Sequence, residues 1–198
     1  MNFRAILYNS ATLNAPKNVL LFLFGVVLYF NVFGDYDLLK VIFGTLGLSL
    51  GLGPIYLFND LTDYEEDKKN ETKISWKAIA NGSISIPTVK ILIFVLSILG
   101  TLLSFLAGIN FFIIFILLIT LNLLYSYPSI RLKNHKNISS IIITLIQISK
   151  ISSGWFLLTN SLKEFPFFIV FALSVGYSLL FIYYKHDTRS EEHTSELQ

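Results

Sequence analysis

Six apolar runs divide the chain, at roughly 18–33, 38–58, 88–107, 111–125, 138–158 and 165–184. A run of about 18 or more apolar residues is long enough to cross a bilayer core as a helix. A chain of 198 residues with 54% hydrophobic content and a mean hydropathy of +0.64 cannot enclose six such runs in a water-facing shell. Inside lipid every backbone polar group must be satisfied within its own segment, which selects helices for runs of this kind. The expected fold class is therefore all-α, a polytopic membrane helix bundle with six spans, and its surrounding partner is the lipid bilayer. The second run carries Gly44, Gly47, Gly51 and Gly53, a pattern that lets helix backbones approach closely. Pro54 predicts a kink one turn before that run ends.

Composition excludes several functions. Cysteine is absent, so disulfides and thiolate metal sites are ruled out. The three histidines, His135, His186 and His193, have no zinc spacing. A formal charge of +2 is too small to point to nucleic acid, so no nucleic-acid partner is expected. The segment from Met1 to Pro16 lacks the apolar core and small-residue cleavage site of a secretory signal. The last ten residues, Arg189 to Gln198, turn abruptly polar and read as the in-frame translation of a sequencing adapter. They are treated as a non-native scar, which leaves residues 1–188 as one incomplete domain.

Charge sets the expected topology. With six spans, the amino terminus, the second-to-third loop and the fourth-to-fifth loop share one side with the end of the sixth span. That side carries Arg4, Lys17, Lys68, Lys69, Lys73, Lys77, Lys90, Arg131, Lys133, Lys136 and Lys185, against Lys40 and Lys163 on the other. The excess of Lys and Arg places that side, and the active-site face with it, in the cytoplasm.

On that face lies the stretch from Phe58 to Asp67, in which five of ten residues are acidic although only 14% of the chain is charged. An ionised carboxylate at a membrane boundary is costly without a partner. At about 100° per residue, Asp63, Asp67 and Asp60 fall within about 100° of Asn59 on a helix, and Tyr56 joins the same arc. A plain solvated acidic cap would scatter its charges, as Glu65 on the opposite side does. Oxygen ligands on one face suit a hard cation, and Mg²⁺ characteristically takes one or two carboxylates plus substrate phosphates. Asn59, Asp63 and Asp67 are the expected metal ligands, with Asp60 beside them. Lys73, Lys77, Arg131 and Lys133 from the flanking loops would hold phosphate oxygens, Arg by its fork and Lys as a point charge. A diphosphate held this way is a leaving group, because cations neutralise charge on the bridging oxygen. An isoprenoid carried on it would leave as an allylic cation, which needs a dry aromatic cavity.

Three motifs then resemble one family. Asn59-Asp60-x-x-Asp63-x-x-x-Asp67 is similar to the first aspartate-rich motif of the UbiA-type intramembrane prenyltransferases. Lys77-Ala78-Ile79-Ala80-Asn81-Gly82-Ser83-Ile84-Ser85 resembles that family's next loop, with Ala78 where proline is usual. Tyr125-Ser126-Tyr127-Pro128-Ser129-Ile130-Arg131-Leu132-Lys133 resembles its loop after the fourth helix. Order and spacing agree over roughly residues 15–187.

The resemblance implies nine helices in all, six of them here, and a second aspartate motif whose first member would be Asp187. It assigns catalytic work to Asp60, Asp63 and Asp187. It implies Mg²⁺-dependent transfer of a prenyl group from a polyprenyl diphosphate to a lipophilic acceptor, with weak diphosphate binding and little turnover in a piece lacking the second motif. Lys150, too deep in the fifth span to reach the interface, matches a basic residue that faces the cavity in some branches of the family. Tyr56, Tyr125 and Lys150 are the expected cavity residues. Gln147 and Ser149 are expected to bond between helices, and Trp155 to face lipid or pack rather than stabilise a cation. Two alternatives stand beside this. One is transfer of ribose phosphate from phosphoribosyl diphosphate to a polyprenyl phosphate. The other is a non-enzymatic cation-binding or transport protein.

Overall fold

A computed structural model describes the backbone of residues 10–195 and the side chains of 15–183, apart from those of Trp76 and Lys136. Among the described residues there are helices and no strands. The long helices are α1 (Ser10–Phe33), α2 (Leu38–Thr62), α5 (Ile86–Ala107), α6 (Ile109–Ser126), α7 (Lys136–Phe156) and α8 (Phe167–Ser195). Two short ones, α3 (Tyr64–Asp67) and α4 (Glu71–Trp76), lie between α2 and α5, and a 3₁₀ turn, Leu132–Asn134, precedes α7. Among the described residues five helices are long and apolar enough to cross a membrane, and Phe167–Tyr183 within α8 is a shorter apolar helix.

The helix ends follow local chemistry. Asp37 accepts from Lys40 N at 3.1 Å and starts α2, while Ser85 accepts from Thr88 N and starts α5, with a proline in its first turn. Gly108, at φ +141°, is the single residue between α5 and α6, a conformation that suits glycine. The second-to-third loop is partly helical because Asn70 caps α4 through Lys73 N at 3.0 Å.

Packing centres on α2 and α7, each more than half buried, whereas α5 buries few residues. Along α5, Ile91, Phe94, Ile98, Leu102 and Phe105 are exposed. Apolar exposure on this scale is the surface of a helix that faces lipid rather than water. Two crossings hold the bundle. A Cβ on Gly100 would stand 2.4 Å from Gly51 N, so α2 and α5 touch backbone to backbone. A Cβ on Gly154 would stand 2.0 Å from Phe22 O, and one on Gly25 would stand 1.9 Å from Ile151 O, which brings α1 against α7. Near the same crossing Trp155 is fully buried against Tyr29, Phe33 and Phe165, in the packing role expected.

A second cluster matters more for function. Ala78, Ile79, Ile84 and Val89 pack with Leu57 at the end of α2, so the loop after α4 folds back beneath the acidic stretch. At the neighbouring loop, Tyr127 stacks on Phe58 with ring centres 6.3 Å apart. Both basic loops are thereby anchored by apolar contacts to one end of α2.

Candidate active site

The acidic stretch is not one continuous helix. The helix stops at Thr62, and Asp63 (φ −95°, ψ 3°) caps it and starts the single turn of α3. The ladder persists through the break: Asp63 N donates to Asn59 O at 3.0 Å and Asp67 N to Asp63 O at 2.8 Å. Asn59 and Asp63 meet one basic loop, and Asp60 and Asp67 meet the other.

From the loop after α6, Lys133 Nζ donates to Asn59 Oδ1 at 3.1 Å and to Asp63 Oδ2 at 2.7 Å. Arg131 donates to Asp63 Oδ1 at 2.7 Å and to Glu66 Oε1 at 3.2 Å. Arg131 holds a left-handed backbone, φ +41°, and is the non-glycine residue with positive φ among those described. Such strain persists where surroundings over-determine it, and here the guanidinium is tied across to α2 and α3. From the loop after α4, Lys77 Nζ stands 3.0 Å from Asp60 and 2.5 Å from Asp67. Lys73 reaches Asp67 at 3.4 Å from a more exposed position.

Burial raises the stakes, for Asp60 is 6% exposed and Asp67 2%. Burial alone would push the Asp63 carboxyl up, but hydrogen bonds and charge from Lys133, then Arg131, outweigh it and hold it below the ordinary carboxylate range. Burial likewise pulls Lys77 down, and Asp60 with Asp67 more than offset it, so that ammonium sits above the ordinary lysine range. Asp63 and Lys77 are therefore charged near neutral pH.

This charged rim opens into a cavity of about 330 Å³. Asn59, Asp60, Lys77 and Lys133 line its mouth, and Ile55, Tyr56, Tyr125, Ile143, Ile146, Tyr177 and Phe181 line its apolar part. Lys150, expected to face a cavity, does line this one and is 4% exposed. Asp63, Asp67, Arg131 and Lys73 stand behind the mouth, joined to it through Lys133 and Lys77. Asp187 lies on α8 where side chains fall outside the described residues.

Sequence reasoning missed Asn18, whose amide donates to the Tyr56 hydroxyl at 2.9 Å. It also missed Asn122 and Tyr177 in the cavity wall and the tie from Glu66 to Arg131. The available signal was a polar side chain inside an apolar run. The expectation that Gln147 and Ser149 bond between helices does not hold. Gln147 accepts from Lys150 at 3.4 Å, and Ser149 donates to Leu145 O, both within α7.

Residues 11–195 match the UbiA prenyltransferase family. The chain belongs to that family. Among solved structures, a digeranylgeranylglyceryl phosphate synthase superposes with a TM-score of 0.73 at 23% identity, covering 87% of this chain and 58% of that one. A UbiA homologue from Archaeoglobus fulgidus bound to GPP and Mg²⁺ superposes at 0.67 with 16% identity, covering 82% of this chain and 58% of that one. The same homologue bound to DMAPP and Mg²⁺ gives the same figures. The chain spans a little under three fifths of the length of these relatives. No curated protein matches it. The all-helical membrane bundle expected from the sequence is thus the UbiA fold.

The donor set of this UbiA member fits magnesium in one particular way. Among the described residues no three Asp, Glu or His side chains converge to chelate an ion unaided. Oxygen donors nevertheless gather at one rim, each held by an ammonium or guanidinium that could turn to a phosphate instead. A metal that takes a few protein oxygens and completes its shell with substrate phosphates matches that arrangement.

Proposed function

We propose that the protein serves Mg²⁺-dependent transfer of a prenyl group from a polyprenyl diphosphate to a lipophilic acceptor within the membrane, with its active-site face cytoplasmic. The observation that carries this is the single cavity whose mouth is lined by Asn59, Asp60, Lys77 and Lys133 and whose wall is aliphatic and aromatic. One end suits a diphosphate and the other a hydrocarbon chain. The GPP and Mg²⁺ in the homologous structure support the same division.

In this assignment Asn59, Asp63 and Asp67 hold magnesium, and Asp60 and Asp187 support it. The metal supplies charge neutralisation for the departing diphosphate. Lys77 and Lys133 exchange their carboxylate partners for phosphate oxygens, while Arg131 and Lys73 hold the carboxylates behind them. Those exchanges leave no ammonium facing an empty site. Tyr56 and Tyr125 give the carbon end a dry, electron-rich wall and exclude water. The ion pairs that tie the α6–α7 loop to α2 and α3 support placing the charged groups of the site on one membrane face. The Lys and Arg excess supports calling that face cytoplasmic.

Equilibrium binding of radiolabelled geranyl diphosphate in nanodiscs tests this. Binding that needs Mg²⁺ and resists competition by phosphoribosyl diphosphate is expected. Preferential displacement by phosphoribosyl diphosphate would favour ribose-phosphate transfer. Cation flux in proteoliposomes without any diphosphate binding would favour a transporter.

A further inference from the structure

The oxygens assigned to the metal are already engaged by ammonium groups. Lys133 Nζ donates to Asn59 Oδ1 at 3.1 Å and to both Asp63 oxygens, at 2.9 and 2.7 Å. Lys77 Nζ stands between Asp60 Oδ1 at 3.0 Å and Asp67 Oδ2 at 2.5 Å. Each ammonium gathers oxygens from two side chains, which is the work a hard cation would do in the same place. The surrounding charge balances, since Asp60, Asp63, Glu66 and Asp67 face Lys73, Lys77, Arg131 and Lys133. To admit a divalent cation alone, Lys77 or Lys133 would have to give up its oxygens and remain beside the newcomer without a partner. Their side chains are only 11% and 15% exposed, so water would not repay that loss. A diphosphate reverses the balance. It accepts both ammonium groups in charge-assisted hydrogen bonds and cancels the charge the metal brings. Lys77 and Lys133 both line the cavity mouth, and their loops are anchored to α2 through Leu57 and Phe58. The exchange therefore needs two side chains to swing and no loop to move.

We propose that Lys77 and Lys133 form a lock on the metal site. They keep its oxygens from Mg²⁺ alone and yield them only when a diphosphate is there to receive the two ammonium groups. Donor and metal then bind interdependently, each raising the affinity for the other. This rests on the prenyl-transfer assignment for the identity of the diphosphate. The competition between ammonium and metal for the same oxygens rests on the ion pairs.

The test uses the full chain in phosphatidylcholine nanodiscs, with Mn²⁺ as the probe and its free fraction read by electron paramagnetic resonance. With no diphosphate present, Lys133→Met should bind Mn²⁺ at least about tenfold more tightly than wild type, because a competing ammonium is gone. That variant frees Asn59 and one Asp63 oxygen while Arg131 keeps the other, so it carries the test even if Lys77→Met is too unstable to purify. Lys133→Arg, which keeps the cation, should restore the wild-type value. Lys73→Met removes the same charge from an exposed position on Asp67 and should change Mn²⁺ affinity by less than about fivefold. Wild-type protein should bind geranyl diphosphate at least about tenfold more tightly with Mn²⁺ than without, and this gain should shrink in Lys133→Met. A wild-type protein that binds Mn²⁺ alone as tightly as Lys133→Met would overturn the lock. So would a Lys73→Met protein that gains as much as Lys133→Met, since net charge and not occupancy would then set the affinity. Tighter Mn²⁺ binding by Lys133→Met in a protein that ignores geranyl diphosphate would sustain the lock and sink the donor assignment. Metal-dependent geranyl diphosphate binding with equal Mn²⁺ affinity in both proteins would do the reverse.

Discussion

Lys77→Met removes the single ammonium that stands between two buried carboxylates. Asp60 lies 3.0 Å and Asp67 2.5 Å from Lys77 Nζ, and their side chains are 7% and 3% exposed. Lys73, the other cation on Asp67, is 3.4 Å away with 41% of its side chain exposed. An exposed pair of that kind contributes under about 1 kcal/mol and cannot replace Lys77. Breaking a buried pair by deleting one partner costs about 3–5 kcal/mol, and because two carboxylates share this ammonium the upper part of that range is expected. Adding Asp60→Asn removes one of the stranded charges and should recover about 1–3 kcal/mol, giving a positive coupling in a double-mutant cycle. Unfolding in mixed detergent micelles, followed by Trp155 fluorescence in a Trp76→Phe background, reads all three variants. If the carboxylates are also a cation site, millimolar Mg²⁺ should stabilise Lys77→Met more than wild type, by linkage. A Lys77→Met protein within about 1 kcal/mol of wild type, or one indifferent to Mg²⁺, would refute the reasoning.

The remaining predictions concern charge, packing and donor binding. Asp63 is held below its ordinary range, so its contribution to stability is present above the unfolded carboxylate value and falls away as pH drops below about 4. Lys77 is held above its ordinary range, so its contribution is complete below the unfolded lysine value and is lost as pH rises past about 10.5; midpoint denaturant measured across pH should fall at both ends, and a flat profile would contradict the pairing. Gly154→Val must displace backbone, with Phe22 O 2.0 Å and Val26 N 2.8 Å from the new Cβ, and should cost about 3 kcal/mol or more. Gly176→Ala, with nothing within 4 Å, should be neutral or stabilising by up to about 1 kcal/mol in the same unfolding assay. Lys133→Met should weaken geranyl diphosphate binding at least about tenfold, whereas Lys68→Met, over the Tyr64 ring and away from the cavity, should not change it.

The bundle was legible because hydropathy over a long run has one cheap solution in lipid. Its helices are longer than the apolar runs wherever a polar cap lies outside the run. Thus α2 continues past Phe58 to Thr62, and α5 begins at Ile86. The short helices α3 and α4 were not legible, since Asn70 capping and the Asp63 break leave no hydropathy signal. In the site, Asn59, Asp63, Asp67 and both basic loops stood out by composition. Their pairing did not, because Arg131 and Lys133 meet Asp63 across 68 and 70 residues of sequence. Periodicity placed the acidic side chains on one face, and it carried no signal for which basic loop each of them meets. Ser149 shows a different limit: inside a helix its own i−4 carbonyl is always within reach, so a polar residue in a span need not bond to a neighbour.

Manganese can stand in for magnesium and reports its neighbours by electron paramagnetic resonance. With geranyl diphosphate bound, Mn²⁺ in the wild-type protein should show hyperfine coupling to phosphorus, and Asp63→Asn should weaken Mn²⁺ binding at least about tenfold. A bound ion without phosphorus coupling, or an unchanged affinity in Asp63→Asn, would contradict a metal-bridged diphosphate at this rim.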